Sequence, residues 1–419
     1  MSVILSERDQ SMLAGEDGPA AAMAMRILST MAGVYGAEGL LDIESAHIDG
    51  CLYHGQSGID FAERLVAGGA QVRVPTTLNV GAIDLLHPEH FRGTTEQAEQ
   101  AKRLMHAYEE MGCRPIWTCA PYQTSQQRPA FGMQIAWAES NAIVFANSVL
   151  GARTNRYGDF IDICAALTGR APAAGLHLTQ NRRAQIHFRL SRIPQSLLES
   201  DVLYPVLGYL VGAQSGALVP VISGLPAHVE EDQLKALGAA AASSGAVALF
   251  HAVGVTPEAA TLDDACQGDQ LTSVIEVNLP ALRQARDRLS TVADGPIQVV
   301  ALGSPHFSLE EFQLLMPLLR RYPPMIEFIV CTHRIVHYAL EKKGWLAELQ
   351  ALGVQVVVDT CVVVAPIVKA SSGVLMTNSG KFAHYTPGNI GLQVVFGSLK
   401  ECVRSAALGQ VWRDPGLWQ

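Results

Sequence analysis

The chain has 419 residues, of which 49% are hydrophobic and 16% are charged, with a formal net charge of −9. This length and apolar content allow a large buried core divided into two or three subdomains. An acidic chain without a run of lysines and arginines lacks the surface that binds nucleic acid or acidic lipid, so we expect neither a nucleic-acid partner nor a membrane partner.

The N-terminal segment and the cysteines both indicate the reducing interior of a cell. The first residues, MSVILSERDQSMLAGEDGP, mix acidic groups with apolar ones and lack the basic start and apolar run of a secretion signal. The eight cysteines are scattered and form no Cys-x-x-Cys pair. We therefore expect reduced thiols, most of them packed as small apolar groups, in a cytoplasmic protein.

The first two thirds of the chain have irregular patterns. Helices are predicted in the leading residues and, more weakly, over residues 231–242. The uncharged stretch between Asp201 and Glu230 is interrupted too often by Gly, Pro, Gln and Ser for a membrane-spanning helix. We expect two core strands there, in LYPVLGYLVGAQSG and ALVPVISGLP, and further strands in GAQVRVPTTLN, CRPIWTCAPY, NAIVFANSVLGA and SSGAVALFHAVGVT. No glycine-rich nucleotide-binding motif is present in the sequence.

From about residue 295 the sequence alternates short β-branched runs with helical patterns, as in a parallel sheet with crossover helices. The helix in SLEEFQLLMPLLRRY begins with Ser308 and Glu311 at the spacing of a capping box. Because ligands of open parallel sheets bind beyond the carboxyl ends of the strands, we expect the polar groups at those ends to share one crevice. These groups are Ser304-Pro305-His306, Cys331-Thr332-His333, Asp359-Thr360-Cys361 and Thr377-Asn378-Ser379.

The patterns predict an α/β fold of doubly wound, mostly parallel sheets in two or three subdomains around a central crevice. We expect residues 1–230 to form an N-terminal α/β region and residues 231–290 a connecting α/β segment. Residues 291–419 would form the C-terminal parallel βαβ region that carries the strand-end residues.

Several residues are candidates for chemistry, each with a structural alternative. Cys119 and Cys361 follow predicted strands and are either buried structural thiols or metal ligands. The polar segment 137–156, WAESNAIVFANSVLGARTNR, is either a network of capping groups or a carboxylate site, since arginine binds carboxylates through two parallel hydrogen bonds. His306 and His384 are either structural or active in proton transfer, and Lys381 is placed to hold an anion.

Five segments together resemble the aconitase X family, in the family's order and over most of the chain. They are TCAPY, WAESNAIVFANSVLGARTNR, GSPHFSLEEF, DTCVVVAP and TNSGKFAHY. The resemblance implies an aconitase-like fold and an iron–sulfur dehydratase, of the kind that acts on cis-3-hydroxy-L-proline or on phosphorylated mevalonate.

The resemblance also implies metal ligands. The family has three cluster thiolates, and two of them correspond to Cys119 and Cys361, whereas the third position is Ser304. A serine hydroxyl is a hard ligand that does not naturally replace a soft thiolate. We therefore expect an iron–sulfur cluster of low nuclearity, such as a 2Fe-2S form, with a 4Fe-4S cluster or mononuclear iron as alternatives. Ser304, His306 or another oxygen or nitrogen ligand would complete it.

On the substrate side, the resemblance indicates the turn Gly50-Cys51-Leu52 and the residue Asn79. Leu52 stands where the phosphomevalonate branch has a serine, and Val80 replaces that branch's proline. Loss of a hydroxyl at a phosphate contact disfavours a phosphorylated substrate, so we expect cis-3-hydroxy-L-proline. The other expected substrate-binding residues are Asn147, Ser148, Arg153, Arg156, Lys381 and Phe382.

Dehydration of this hydroxy amino acid removes the proton next to the carboxylate, expels hydroxide and yields 1-pyrroline-2-carboxylate. On this hypothesis the metal acts as a Lewis acid on the leaving hydroxyl, and Arg153, Arg156 or Lys381 holds the carboxylate. His306, Glu139 or Lys381 would contribute to catalysis, the first two by moving a proton. The alternatives are a phosphomevalonate dehydratase large subunit, a non-catalytic iron or redox sensor, and an α/β enzyme without a cofactor.

Aconitase-type enzymes close their site with a small swivelling domain, either fused or supplied as a separate chain. After the predicted strand LQVVFGS and the helix LKECVRSAALG, only QVWRDPGLWQ follows, and no other segment resembles that domain. We therefore expect a heteromer in which this chain is the large subunit and a separate small subunit completes the site.

Overall fold

The computed structural model describes residues 3–419 and divides them into two compact units. Unit 1 consists of the chain up to Ile83 together with Thr94–Arg183. Unit 2 consists of Asp84–Gly93 and Ala184–Gln419. The short segment Asp84–Gly93 therefore packs with unit 2 although it interrupts unit 1 in sequence. The domain boundaries expected at residues 230 and 290 stay predictions.

Unit 1 contains a three-stranded parallel sheet in the order β3-β2-β4 and a two-stranded antiparallel pair of β1 and β5. Its helices are α1 (Glu7–Ala14), α2 (Pro19–Val34), α3 (Gln56–Ala67), α4 (Thr95–Glu110), α5 (Ser140–Phe145) and α6 (Ile161–Thr168). Its strands are β1 (Leu40–Asp42), β2 (Ser45–Ile48), β3 (Thr76–Leu78), β4 (Ile135–Trp137) and β5 (Arg170–Pro172).

Unit 2 contains two parallel sheets, in the orders β8-β7-β6-β9 and β12-β11-β10-β13-β14. Its helices are α7 (Gln195–Leu198), α8 (Leu203–Ser215), α9 (Glu231–Ser244), α10 (Leu262–Cys266), α11 (Leu279–Arg288), α12 (Leu309–Arg321), α13 (Arg334–Lys342), α14 (Trp345–Ala351), α15 (Gly380–Asn389) and α16 (Leu399–Leu408). Its strands are β6 (Ile186–Leu190), β7 (Pro220–Ser223), β8 (His251–Ala252), β9 (Ser273–Val277), β10 (Val299–Leu302), β11 (Glu327–Cys331), β12 (Val354–Val357), β13 (Val374–Thr377) and β14 (Gln393–Phe396).

The five-stranded sheet has the doubly wound topology that the sequence predicts. The chain runs from β10 outward to β12 on one side and from β13 outward to β14 on the other. Its strands are buried on both faces, and burial of each large aliphatic side chain contributes roughly 1.5–3 kcal/mol. The strand order reverses between β10 and β13, and this switch point is where ligands of such sheets bind.

One predicted core strand is wrong. The segment LYPVLGYLVGAQSG forms helix α8, which packs along α9, whereas the second segment does contain a strand, β7. A side chain at Gly208 would overlap the carbonyl oxygen of Leu237 on α9, and one at Gly212 would overlap that of Ala241. The glycines therefore permit close helix packing and do not interrupt a strand.

Two further strand predictions are wrong. The segment NAIVFANSVLGA forms helix α5 and then a π-helical turn, Ala146–Leu150, because a buried apolar run does not by its composition distinguish helix from strand. The segment CRPIWTCAPY contributes one isolated bridge, between Arg114 and Thr77, and a 3₁₀ turn at Pro121–Gln123. Within residues 3–419, no helix combines the length and the apolar character needed to cross a membrane.

Candidate active site

In unit 2, the loop after β10 carries Ser304 and His306 at the switch point of the sheet. Gly303 has a φ of 88°, and a side chain there would overlap the carbonyl oxygen of Cys331 at the end of β11. The backbone then passes through a cis peptide bond between Ser304 and Pro305. Ser304 is 2% exposed, and its carbonyl oxygen accepts a hydrogen bond from the Ser379 hydroxyl after β13. The loops after β10 and β13 are therefore directly linked.

His306 joins this loop to the turn after β12. Its ring is fully buried, and Nε2 lies 3.1 Å from the carbonyl oxygen of Thr360, to which it donates a hydrogen bond. Burial lowers the pKa of His306 to about 3, and His333 lowers it further. The ring is therefore neutral at physiological pH, which suits a metal ligand or a hydrogen-bond donor better than a general base with a matched pKa.

The turn Asp359-Thr360-Cys361 has a different role for each residue. Asp359 adopts a φ of 62° and pairs with Arg334 at 2.7 Å. The Cys361 side chain is 5% exposed, and its carbonyl oxygen accepts the N–H groups of Val364 and Ala365 at 3.1 and 3.0 Å. Thr360 Oγ1 is buried with no hydrogen-bond partner among the described residues. Asp359 thus holds the turn in place. The Cys361 thiol and the unsatisfied Thr360 hydroxyl lie beside it in the same turn.

Helix α15 brings the expected Lys381 and Phe382 to the same end of the sheet. The Ser379 hydroxyl accepts the N–H of Phe382 at 3.0 Å and so caps the helix. Phe382 is fully buried, whereas Lys381 is partly exposed and close enough to lower the pKa of His306. His384, on the same helix, is exposed and lies against Tyr385. The four strand-end groups of unit 2 therefore do lie together, with positive charge supplied by Lys381.

In unit 1, the ends of three parallel strands bring Asp49, Asn79 and Glu139 together. Asp49 follows β2, Asn79 follows β3, and Glu139 lies two residues beyond β4. The Asn79 amide donates a hydrogen bond to the Asp49 carboxylate. Glu139 has a φ of 68°, and its carboxylate accepts the N–H of Ala142 at 2.8 Å at the start of α5. A non-glycine residue held in this strained conformation is typical of functional sites.

The acids of this cluster have shifted pKa values. Burial raises the pKa of Asp49 to about 7, and the charges of Glu139 and Asp159 raise it further. Burial also raises the pKa of Asp162 to about 7, against the hydrogen bonds from the backbone N–H groups of Asp49 and Ile163. A carboxyl group with a pKa near neutrality is suited to proton transfer at physiological pH. Asp49 was not among the residues predicted from the sequence, although it directly precedes the predicted Gly50.

Cys119 lies beside the unit 1 cluster. Its side chain is 3% exposed, and its carbonyl oxygen accepts the Asn141 amide at 2.8 Å, while Asn141 also accepts the Tyr122 hydroxyl at 2.9 Å. The preceding Thr118 bonds to the end of β3 through its N–H. The structure therefore holds Cys119 near Glu139, since Asn141 and Glu139 belong to the same helix start.

The predicted turn Gly50-Cys51-Leu52 is closely packed. A side chain at Gly50 would approach the Tyr108 hydroxyl oxygen to 2.7 Å. The Cys51 thiol donates hydrogen bonds to backbone carbonyl oxygens, among them that of Ile48 at 3.5 Å. Burial is the main reason why the pKa of this thiol is raised well above its usual value. Leu52 is 9% exposed. Cys51 is therefore a neutral thiol that holds the turn.

The remaining predicted residues lie in the π-helical turn after α5 and in the segment that follows it. The Asn147 side chain exchanges hydrogen bonds with the backbone of Thr154 at 3.0 Å and accepts one from the buried Arg182 at 3.1 Å. Ser148 is buried. Arg153 donates to the Thr179 hydroxyl at 2.6 Å, and Arg156 is exposed. Asn147 thus serves an internal network, and the substrate-binding roles of these residues stay predictions.

Comparison with known proteins covers nearly all of the chain. Residues 2–180 match the aconitase X first domain, residues 184–287 the second domain and residues 297–408 the third domain. The chain belongs to the aconitase X family. It is therefore a dehydratase, a hydro-lyase of this family.

The relatives of this aconitase X chain are named for two different substrates. A cis-3-hydroxy-L-proline dehydratase of Pseudomonas aeruginosa is 46% identical over 96% of this chain and 70% of its own length. One of Hypocrea jecorina is 41% identical over 98% of this chain and 69% of its own length. A phosphomevalonate dehydratase large subunit of Methanothermobacter thermautotrophicus is 39% identical over 96% of this chain and 98% of its own length.

A solved structure supports the fold of this aconitase X chain. The crystal structure of Thermococcus kodakaraensis aconitase X in its holo-form superposes with a TM-score of 0.87 at 34% identity, and the match covers 96% of this chain and 100% of that one. The expected α/β fold with parallel sheets in several subdomains is thus confirmed. A holo-form is a protein with its cofactor bound, so this relative of the chain holds a cofactor.

Proposed function

We propose that this chain is the large subunit of a cis-3-hydroxy-L-proline dehydratase that forms 1-pyrroline-2-carboxylate. The observation that carries the proposal is the 46% and 41% identity to two proteins named for this activity. The large subunits of phosphomevalonate dehydratase, at 39% identity over nearly their whole length, provide the second candidate substrate.

The turn after β2 supports the choice of a substrate without phosphate. Leu52 offers no hydrogen-bonding side chain, and the Cys51 thiol donates to backbone carbonyls. A phosphate group is bound by charged or hydroxyl-bearing donors, and the side chains of this turn supply none. A smaller zwitterionic substrate that is recognised through its carboxylate and hydroxyl suits this turn better.

We also propose an iron–sulfur centre as the resident cofactor, with Cys119 and Cys361 as thiolate ligands. Both thiols are almost completely buried, as soft iron ligands in clusters are. In unit 2, Cys361 follows directly on Thr360, whose buried hydroxyl has no partner among the described residues, and Ser304 offers a second hydroxyl at the same end of the sheet. Two thiolates accompanied by oxygen and imidazole ligands fit a centre of low nuclearity. When bound, the centre supplies Lewis-acid assistance to the loss of the 3-hydroxyl group.

The side chains of the chain have distinct parts in this proposal. Lys381 holds the substrate carboxylate and stabilises the negative charge that develops when the adjacent proton is removed. Glu139 takes that proton, since its carboxylate is held in place by the start of α5. Asp49, with a pKa of about 7, receives the proton or returns one to the departing hydroxide.

The partner in this proposal is a separate small subunit. The chain spans 98% of a relative named as a large subunit but 70% of the Pseudomonas aeruginosa dehydratase. A protein named a large subunit works with a small one, and the chain matches two relatives of that name over nearly their whole length. We expect the assembly to act in the cytoplasm, since none of the eight cysteines forms a disulfide bond.

The test is an anaerobic assay of the iron-loaded and sulfide-loaded chain, with and without its small subunit, on two substrates. We expect 1-pyrroline-2-carboxylate from cis-3-hydroxy-L-proline when the small subunit is present, and no conversion of phosphomevalonate. A chain that dehydrates only phosphomevalonate would contradict the substrate assignment. Full activity without a second polypeptide would contradict the subunit assignment.

A further inference from the structure

A second group of potential metal ligands lies in the segment Asp84–Gly93 of unit 2. Asp84, His87 and His90 each offer one ligand atom, and these atoms all lie within 4.8 Å of one another. Asp84 Oδ2 is 3.1 Å from His87 Nδ1 and 4.0 Å from His90 Nδ1. Two imidazoles and one carboxylate therefore converge without a cysteine.

The carboxylate of this group is fixed by the backbone. Asp84 is 2% exposed, and its Oδ1 atom accepts the N–H groups of Leu86 and His87 at 2.9 and 2.8 Å. Its Oδ2 atom accepts the N–H of Val358 at 3.0 Å, at the end of β12. Three backbone N–H groups therefore position this carboxylate before any ligand binds.

The histidine rings leave buried nitrogen atoms unsatisfied. His90 Nδ1 is buried and has no hydrogen-bond partner among the described residues, and the same holds for Nε2 of His337 on α13. The His87 ring contacts both of these rings, and its centroid lies 5.3 Å from that of His90 and 5.5 Å from that of His337. Buried imidazole nitrogens are normally satisfied, so the unsatisfied Nδ1 of His90, which lies 4.0 Å from Asp84 Oδ2, indicates a missing ligand.

We propose that Asp84, His87 and His90 bind a divalent transition-metal ion, for which Zn²⁺ is the best match. Zinc takes imidazole nitrogen and carboxylate oxygen at about 2.0–2.2 Å, so tetrahedral ligand atoms lie about 3.3–3.5 Å apart. Side-chain shifts of about 1 Å or less would bring the three ligand atoms to this separation. Harder ions such as Mg²⁺ prefer oxygen ligands and are disfavoured by two imidazoles.

The ion would join two distant parts of the sequence inside unit 2. Asp84 contacts the backbone of Val358, and the N–H of Leu85 lies 3.3 Å from the Asp359 carboxylate. The segment therefore packs against the turn that leads to Cys361. An ion bound to the aspartate and histidines of this segment would fix the position of that turn without contacting the turn itself. This role is independent of the substrate.

The direct test is metal analysis of the iron-loaded chain after addition of ZnSO₄ and removal of free metal. We expect about one tightly held zinc ion per chain, with a first shell of nitrogen and oxygen in zinc K-edge X-ray absorption, because the ligands are imidazole and carboxylate. This measurement is specific to zinc, so bound iron does not interfere. A shell of sulfur at about 2.3 Å would assign the zinc to cysteines and overturn the proposal.

Two single-residue variants distinguish the proposed zinc site from an exposed histidine elsewhere in the chain. His90→Asn should weaken zinc binding at least about tenfold, since even the loss of a residue that only orients a ligand costs that much. The matched control is His106→Asn, because His106 is exposed on α4 beside Glu109 and Glu110 at 3.6 and 3.2 Å and is itself a plausible adventitious site. Circular dichroism verifies that both variants fold. Equal zinc affinity in His90→Asn and the unmodified chain would refute the assignment, as would loss of zinc in the control alone. If His90→Asn does not fold, the zinc X-ray absorption spectrum of the unmodified chain decides between the two sets of ligands.

Discussion

Arg334 and Asp359 form a two-pronged ion pair in which Nε and Nη2 of the guanidinium each lie 2.7 Å from a carboxylate oxygen. The Asp359 side chain is fully buried, and burial raises its pKa although Arg334 opposes the shift. Asp359 lies two residues before Cys361 and has a left-handed backbone conformation. The ion pair offsets the cost of that conformation.

Removal of the arginine should therefore destabilise unit 2. Arg334→Met leaves a buried carboxylate without its partner, and we expect a loss of about 2–3 kcal/mol, below the range for a fully buried pair because Arg334 is 38% exposed. Urea denaturation measures the change. Arg320→Met, which breaks an exposed pair with Glu348, is the control and should have little effect. Equal losses in the two variants would mean that the buried pair has no special role.

The raised pKa values in unit 1 make its stability depend on pH. Asp49 and Asp162 have pKa values of about 7 in the folded chain, whereas an unfolded aspartate has about 3.8. The folded state thus binds more protons between these values, and the free energy of unfolding should fall as the pH rises from about 4 to about 7 and then level off. Asp49→Asn should reduce this fall and lower turnover. The exposed Asp60→Asn is the control, and an unchanged slope in Asp49→Asn would contradict the raised pKa.

The proposed thiolate ligands can be separated from the other cysteines. Cys119→Ser and Cys361→Ser should each abolish bound iron and activity, because a hydroxyl is a poor ligand for the centre. Cys266→Ser and Cys402→Ser replace buried cysteines elsewhere in unit 2 and should retain both. Iron content and the visible spectrum after anaerobic purification provide the measurement. Normal iron content in Cys361→Ser would exclude that residue as a ligand.

Ser304 offers a test of nuclearity. Ser304→Cys supplies a third thiolate at the loop after β10, so we expect the visible and electron paramagnetic resonance spectra to change toward a cluster of higher nuclearity. Activity should fall because the coordination geometry changes. Spectra identical to those of the unmodified protein would mean that Ser304 does not contact the metal.

The close packing of α8 on α9 predicts a glycine effect. Gly208→Ala should destabilise the protein by about 1–3 kcal/mol, because the added methyl group overlaps the carbonyl of Leu237. Gly388→Ala in α15 meets no atom within 4 Å and should stabilise by about 0.5–1 kcal/mol, since alanine favours helix. Thermal denaturation distinguishes the two. A neutral Gly208→Ala variant would show that the helices can separate without cost.

Local patterns in the sequence were sufficient for the C-terminal sheet. The β-branched runs predicted β10, β11 and β12, the capping box at Ser308 was correct, and the polar groups at the strand ends lie together. These features depend on neighbours within a few residues along the chain. The mistaken strand at α8 has the opposite cause, because only the approach of α9 explains why glycines recur in a buried helix.

The candidate site was predictable in part for the same reason. Cys119, Glu139 and Cys361 were predicted from motifs that keep their order along the chain, and their roles stay predictions. The raised pKa of Asp49 could not be predicted, since it depends on burial in the folded chain and on the charges of Glu139 and Asp159, which are distant in sequence. The contact of His87 with His337 likewise joins positions separated by most of unit 2, and no local spacing indicates it.

The segment Asp84–Gly93 has a consequence for biosynthesis. During translation, every residue of unit 1 has been synthesised when Arg183 is added. The Asp84 carboxylate, however, accepts the N–H of Val358, and the N–H of Leu85 donates to the Asp359 carboxylate. The segment therefore lacks these partners until about 175 further residues have been added, which takes roughly 9–35 s at about 5–20 residues per second. During this interval the nascent chain contains all residues of unit 1, but the segment Asp84–Gly93 still lacks its partners in unit 2. We therefore expect chaperones or proteases that act on ribosome-bound chains to bind this segment.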